Sequence, residues 1–235
     1  MVLFDKEAHS YTNSETGRKY ISVSQLLSLY KEPFDRDYFA AKVAKRQGVS
    51  KEKVISEWVK TNKDACDKGT SIHEIIENYI KTGEILEQDY ELVKSLEDVF
   101  NRNDYKNILS EELVYSDHYE VAGTSDLICG VDENYFDVLD VKTNKKFEFY
   151  SKYGKHLKTP LNNLQQCHYN DYSLQLSLYA YLYSGLTGKK VRKICILYHD
   201  GKKFISYPVP YLFWEVSALL KHYSLNHGQK PDKQS

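Results

Sequence analysis

The chemical question is set by Asp126, Asp140 and Lys142. Asp126 closes the run Gly123-Thr124-Ser125-Asp126 just before apolar Leu127 and Ile128, and Asp140 and Lys142 stand two apart in Val138-Leu139-Asp140-Val141-Lys142-Thr143. Both runs are rich in strand-forming residues, and residues two apart on a strand point to the same face. An acid and an ammonium on one face of an apolar strand need partners, because buried charge is costly unless it is paired or bound. A divalent cation would satisfy two carboxylates while the lysine reaches a ligand beside it, which makes a metal site the first expectation. A structural ion pair between Asp140 and Lys142 is the alternative that needs no ligand.

The elements that must position these groups follow from periodicity and punctuation. Residues 1–24 read as a hairpin with strands at 2–4, 9–11 and 19–23 around an Asn13–Gly17 turn cluster. Ser24 is expected to cap a helix bearing Leu26, Leu27 and Leu29 that ends before Pro33. A polar helical stretch over 35–63 follows, with a second start at Ser50, Glu52 in its first turn and Trp58 as its anchor, and it suggests a helical cover. From Asp64 the pattern of Cys66, Gly69, Ile72, His73, Ile76 and Ile80 predicts a strongly amphipathic helix ending near Gly83, with His73 and Glu77 one turn apart on one face. A helix over 88–101 and strands over 111–116, 119–129 and 135–143 come next.

Residues 144–170 have little apolar periodicity and exceed an ordinary connection. Between Lys142 and Lys158 stand six lysines against one glutamate, with Phe147, Phe149, Tyr150 and Tyr153 among them. That mixture suits a strand of nucleic acid held by charge and stacking, and a solvated loop is the plainer reading. A helix over 172–183 carries Gln175 and Tyr179 four apart. A hairpin over 191–198 and 204–209, a closing helix over 211–227 and a loose tail over 228–235 complete the chain.

The bulk numbers exclude several classes. At 235 residues, 41% hydrophobic and 28% charged, the chain is long enough for one sizeable core. No run approaches the roughly 20 apolar residues of a membrane span, and the first residues lack a signal peptide's basic and apolar regions in order, so a cytoplasmic protein is expected. The net charge of −1 gives no global footprint for nucleic acid, so any polyanion must meet a local basic patch. Cys66, Cys129, Cys167 and Cys195 stand far apart with no Cys-x-x-Cys pair, against a zinc ribbon and without support for an iron–sulfur cluster.

Four segments in order carry a resemblance: Gly69-Thr70-Ser71-Ile72-His73, Gly123-Thr124-Ser125-Asp126, Asp140-Val141-Lys142 and Gln175-Leu176-Ser177-Leu178-Tyr179. Together they resemble the PD-(D/E)XK nuclease superfamily in its RecB-like exonuclease branch, and the flanking elements look like those of phage-type and mitochondrial genome maintenance exonucleases. The resemblance implies an α/β restriction-endonuclease-like core with a mixed central sheet flanked by helices. It also implies a single nuclease domain over 1–235, with a hairpin and helical cover over 1–63, the core over 64–227 and the tail beyond.

By the same resemblance, Asp126, Asp140, the Val141 carbonyl and His73 would hold one or two Mg²⁺ or Mn²⁺ ions, and Lys142 would position and help deprotonate the attacking water. Gln175, Tyr179, Lys145 and Lys146 would meet DNA, and Glu74, Glu77 and Glu112 would lie near the site without an assigned role. His73 alone could be a satisfied core histidine, and Gln175 and Tyr179 could simply form a helix face. Ser22 and Ser24 resemble a serine-bearing element of relatives, with capping as the local role. Relatives that carry an iron–sulfur cluster use one cysteine before the histidine motif and three near the C-terminus; only Cys195 lies late here, so no iron–sulfur cluster is expected. The implied activity is a DNA exonuclease acting on single-stranded ends in a bacterial or phage-infected cytoplasm. Without a Gly-x-x-x-x-Gly-Lys-Ser/Thr motif, unwinding would fall to a separate helicase or recombination partner. A structure- or sequence-selective endonuclease and a non-catalytic nucleic-acid-binding subunit are the alternatives.

Overall fold

The computed structural model describes residues 1–6, 8, 10–143 and 147–227. His9, Lys145, Lys146 and the 228–235 tail therefore lie outside the described residues. Along the chain come β1 (Val2–Asp5), β2 (Ser10–Asn13), β3 (Lys19–Ser22), α1 (Val23–Leu29), α2 (Arg36–Gln47), α3 (Lys51–Thr82), α4 (Tyr90–Asn103), β4 (Asn107–Ser116), β5 (Val121–Gly130), β6 (Tyr135–Lys142), α5 (His168–Thr187), β7 (Lys190–His199), β8 (Phe204–Val209) and α6 (Phe213–His227).

The strands form one eight-stranded mixed sheet in the order β1-β2-β3-β5-β6-β7-β8, with β4 paired to β5 off that path. β3–β5 and β6–β7 are parallel and the other pairs antiparallel. Helices cover both faces, which is why β5 and β6 are buried along most of their length rather than at alternate residues. Ile128, Phe136 and Val138 pack with α1, α5 and α6 through Leu26, Leu178 and Leu219. Their neighbours Leu127, Leu139 and Val141 point the other way, onto Ile72, Ile76 and Leu96 of α3 and α4. This is the flanked, mixed α/β architecture expected from the sequence.

The sheet is split beside β5. β3 meets β5 only at Ile21–Val121 and Ser22–Ala122, and β6 pairs with it only from Leu127–Leu139 to Gly130–Phe136. β4 runs along the opposite edge of β5 from Gly130 to Val121. Residues 123–126 thus have no strand partner on the split edge among the described residues.

Several local expectations shift. The cap of α1 is Ser22, not Ser24: Ser22 Oγ accepts the Gln25 N–H while the Gln25 side chain accepts the Ser22 N–H, a reciprocal capping box that starts the helix directly from β3. Ser50 does cap α3, but the helix runs unbroken for 32 residues to a left-handed Gly83, through the expected boundary at residue 63. Only its second half reaches the sheet; the first half packs on α2 around Ala40, Ala44, Val54 and Trp58, and residues 60–68 between them are exposed.

The long connection is docked rather than open. Leu157, Leu161 and Cys167 are buried, the Lys158 N–H donates to the Tyr30 carbonyl at 2.8 Å, and the Gln166 side chain exchanges two hydrogen bonds with the Glu32 backbone. Phe147, expected among the stacking rings, is instead packed against Tyr172, Tyr198 and Tyr207, while Tyr150 and Tyr153 remain exposed. No helix among the described residues is long and apolar enough to cross a membrane.

Candidate functional site

The split places Asp126 where a ladder bond is missing. Its Oδ2 accepts the Val141 N–H at 2.7 Å, taking the place of the strand that has diverged, so the carboxylate is held by backbone rather than by a mobile side chain. Its Oδ1 lies 3.6 Å from His73 Nδ1. His73 reaches in from α3, and its Nε2 stands 3.2 Å from the Val141 carbonyl, which accepts from the imidazole. The helix can approach because Gly69 faces the sheet, where a Cβ would sit 3.3 Å from Thr143 Oγ1.

Glu111 completes this group, and sequence reasoning missed it. In the β4–β5 register it stands opposite Asp126, between the pairs Ser110–Leu127 and Glu112–Ser125. Its φ of +52° is a conformation that non-glycine residues rarely adopt, and there Oε1 lies 3.8 Å from His73 Nδ1. His73, Glu111 and Asp126 offer ligand atoms that all lie within 4.8 Å of one another, so the three could hold a metal ion. Burial alone would lower the His73 pKa, but the carboxylates of Glu111, Asp126 and Asp140 push it up to about 9.

Asp140 and Lys142 do share a face, as their spacing predicts. Asp140 is 1% exposed; its Oδ2 lies 2.5 Å from Lys142 Nζ, and its Oδ1 has no hydrogen-bond partner among the described residues. Burial raises the Asp140 pKa against the pull of Lys142. Burial would depress Lys142, yet Asp140 and Asp126 hold it above its ordinary value. The ammonium also sits 4.7 Å from the centre of the Tyr172 ring. Asp140 stands outside the His73–Glu111–Asp126 group, and the Val141 carbonyl, an expected ligand, is engaged by His73.

The opposite wall comes from α5 and the N-terminal strands. Gln175 Nε2 donates to the Tyr179 hydroxyl at 3.0 Å, and Tyr11 and Thr124 hydroxyls are 3.0 Å apart. Gly123 is required here, because a Cβ would lie 2.7 Å from the Tyr179 ring. Burial keeps the Tyr179 phenol well above its ordinary pKa, so it remains a neutral donor. Between the walls lies a cleft of about 540 Å³ lined by, among others, His73, Glu111, Asp126, Gln175 and Tyr179. Glu74 and Glu77 line it too, Glu77 in an ion pair with Lys81 at 2.5 Å, whereas Glu112 does not.

No family model matches the chain, and no curated protein matches it. Among solved structures it is similar to the crystal structure of SSO0001, at 16% identity and a TM-score of 0.37 over 87% of this chain and 74% of that one. It is also similar to a protein from Eubacterium rectale provisionally named an exonuclease, at 12% identity and a TM-score of 0.36 over 88% of this chain and 78% of that one. Likeness at this level assigns neither a family nor an activity.

Proposed function

We propose that the protein is a divalent-metal-dependent nuclease that hydrolyses DNA phosphodiester bonds, working from single-stranded ends. One observation carries the reading: the split in the sheet gathers His73, Glu111 and Asp126 within 4.8 Å at the floor of a cleft, next to a buried Asp140–Lys142 pair. Two carboxylates and an imidazole suit Mn²⁺ or Mg²⁺, and the buried Asp140 Oδ1 is an orphaned acceptor of the kind a cation satisfies. Asp126, Glu111, His73 and Asp140 are the residues that would hold the ion. When bound, such an ion acidifies a water and neutralises charge developing on phosphate oxygens.

The chain's own groups do the rest. Lys142, kept charged by Asp140, offers a fixed ammonium to a phosphate oxygen and orients the attacking water. Asp126, tied to the Val141 N–H, keeps its second oxygen directed at His73 and the cleft. Gln175, Tyr179 and the Tyr11 hydroxyl supply neutral hydrogen-bonding groups for the strand backbone on the far wall.

The test is a panel of labelled linear, closed-circular, single-stranded and duplex DNA with Mg²⁺ or Mn²⁺. Progressive shortening of linear single strands, abolished by Lys142→Ala, is the expected result. Cutting of closed circles would make the enzyme an endonuclease, and no cleavage with either ion would remove the nuclease reading.

A further inference from the structure

One concentration of positive charge lies away from the cleft. Residues 36–63 hold eight lysines and arginines against three acids, in a chain whose net charge is −1, so the remainder is acidic. These residues are α2 and the first half of α3, which pack on each other and meet the body of the molecule at few points. Lys42, Lys45, Arg46, Lys53 and Lys60 are exposed and make no ion pair among the described residues. Tyr38, Lys42, Lys45 and Arg46 fall at helical spacing along one exposed face of α2.

Aromatic rings accompany that charge. Phe34 (61% exposed), Tyr38 (59%) and Tyr153 (63%) are joined through Phe39, which stacks on Phe34 with centroids 5.0 Å apart and lies 5.8 Å from Tyr153. The patch therefore bridges the helical hairpin and the docked 147–167 connection, where Lys152 sits 5.7 Å from the Tyr153 ring centre. Lysines on a solvated helix ordinarily serve only solubility, and single exposed rings need no explanation. Rings contributed by two distant chain segments and bordered by unpaired cations are a different feature, because every base presents a π-face and every phosphate a charge.

We infer that the α2–α3 hairpin and Tyr153 form a second contact surface for single-stranded nucleic acid, outside the catalytic cleft. Phosphates lie along Lys42, Lys45 and Arg46, and unpaired bases stack on Phe34, Tyr38 and Tyr153. A duplex, whose bases already stack on each other, uses only the charge. The inference rests on the nuclease reading solely for the view that the bound strand is also the substrate. α3 continues from this surface to His73, so a strand held here extends naturally toward the cleft and long strands bind more tightly than short ones.

The experiment is fluorescence anisotropy with oligothymidylates of about 6 and about 24 nucleotides, titrated against full-length protein carrying Lys142→Ala so that no strand is cut. Lys45→Ala with Arg46→Ala should weaken the long oligonucleotide about tenfold and make its log–log salt slope shallower by about 1.4, two contacts at roughly 0.7 each. Tyr38→Ala with Tyr153→Ala should weaken it about tenfold with the slope unchanged. Thermal unfolding checks each variant; should the tyrosine pair unfold early, the charge pair decides. Parental affinity in both, or equal competition by polyglutamate and oligonucleotide, overturns the assignment. Strand binding by the parent without any cleavage by wild-type enzyme would remove the nuclease reading and leave this surface standing.

Discussion

The second half of α3 lays Ile72, Ile76 and His73 against the sheet, whereas the first half meets α2 through Val54 and Trp58. Beside this second half, the charged groups of β5 and β6 are held by backbone or by a buried neighbour, Asp126 by the Val141 N–H and Lys142 by Asp140. In the first half most charges face water, and the ion pairs there, Lys51–Asp37 and Lys63–Asp67, lie at the surface. Burial makes individual charges strong and immobile, which suits bond-making chemistry. Exposure leaves a diffuse field, screened beyond about 10 Å at moderate salt, which suits holding a long flexible polyanion.

The comparison can be broken most sharply at Lys142. Lys142→Ala should reduce single-turnover cleavage by at least about a thousandfold while DNA binding persists, because the group acts on developing charge. If variants in the hairpin slowed the chemical step as much, the division of labour would be wrong. Next in size is Glu111→Gln, which should weaken activation by Mn²⁺ about 10- to 100-fold in a metal titration. Unchanged activation would leave Asp126 and Asp140 as the acidic ligands.

Stability separates the two halves further. Leu127→Ala, in the fully buried centre of β5, should lower unfolding free energy by about 2–5 kcal/mol in urea. Val54→Ala should act mainly on amide exchange within α2 and the first half of α3, and uniform loss of protection would show that the hairpin unfolds with the core. Gly123→Ala should cost about 1–3 kcal/mol through its clash with Tyr179, partly recovered by adding Tyr179→Leu. The smallest effect is Ser50→Ala, about 1 kcal/mol from the lost cap of α3.

The residue string by itself determined what depends on near neighbours. Two-residue spacing placed Asp140 and Lys142 on one face, helical spacing placed His73 and Gln175 with Tyr179, and Ser50 and Gly83 marked the two ends of α3. The Ser22–Gln25 capping box is equally local, yet the sequence alone suggests Ser24, two residues further on, as the cap. Tertiary structure alone decided that β3 and β6 leave one edge of β5 without a strand partner between Gly123 and Asp126 among the described residues, and that Lys158–Tyr30 and Gln166–Glu32 contacts fold the long connection onto the body. Glu111 belongs to the same class. Nothing in its neighbours distinguishes it from Glu112; only the strand register sets it opposite Asp126, and only the left-handed backbone brings its carboxylate to His73. Register and split arise from contacts between residues far apart in the chain, and no local pattern encodes them.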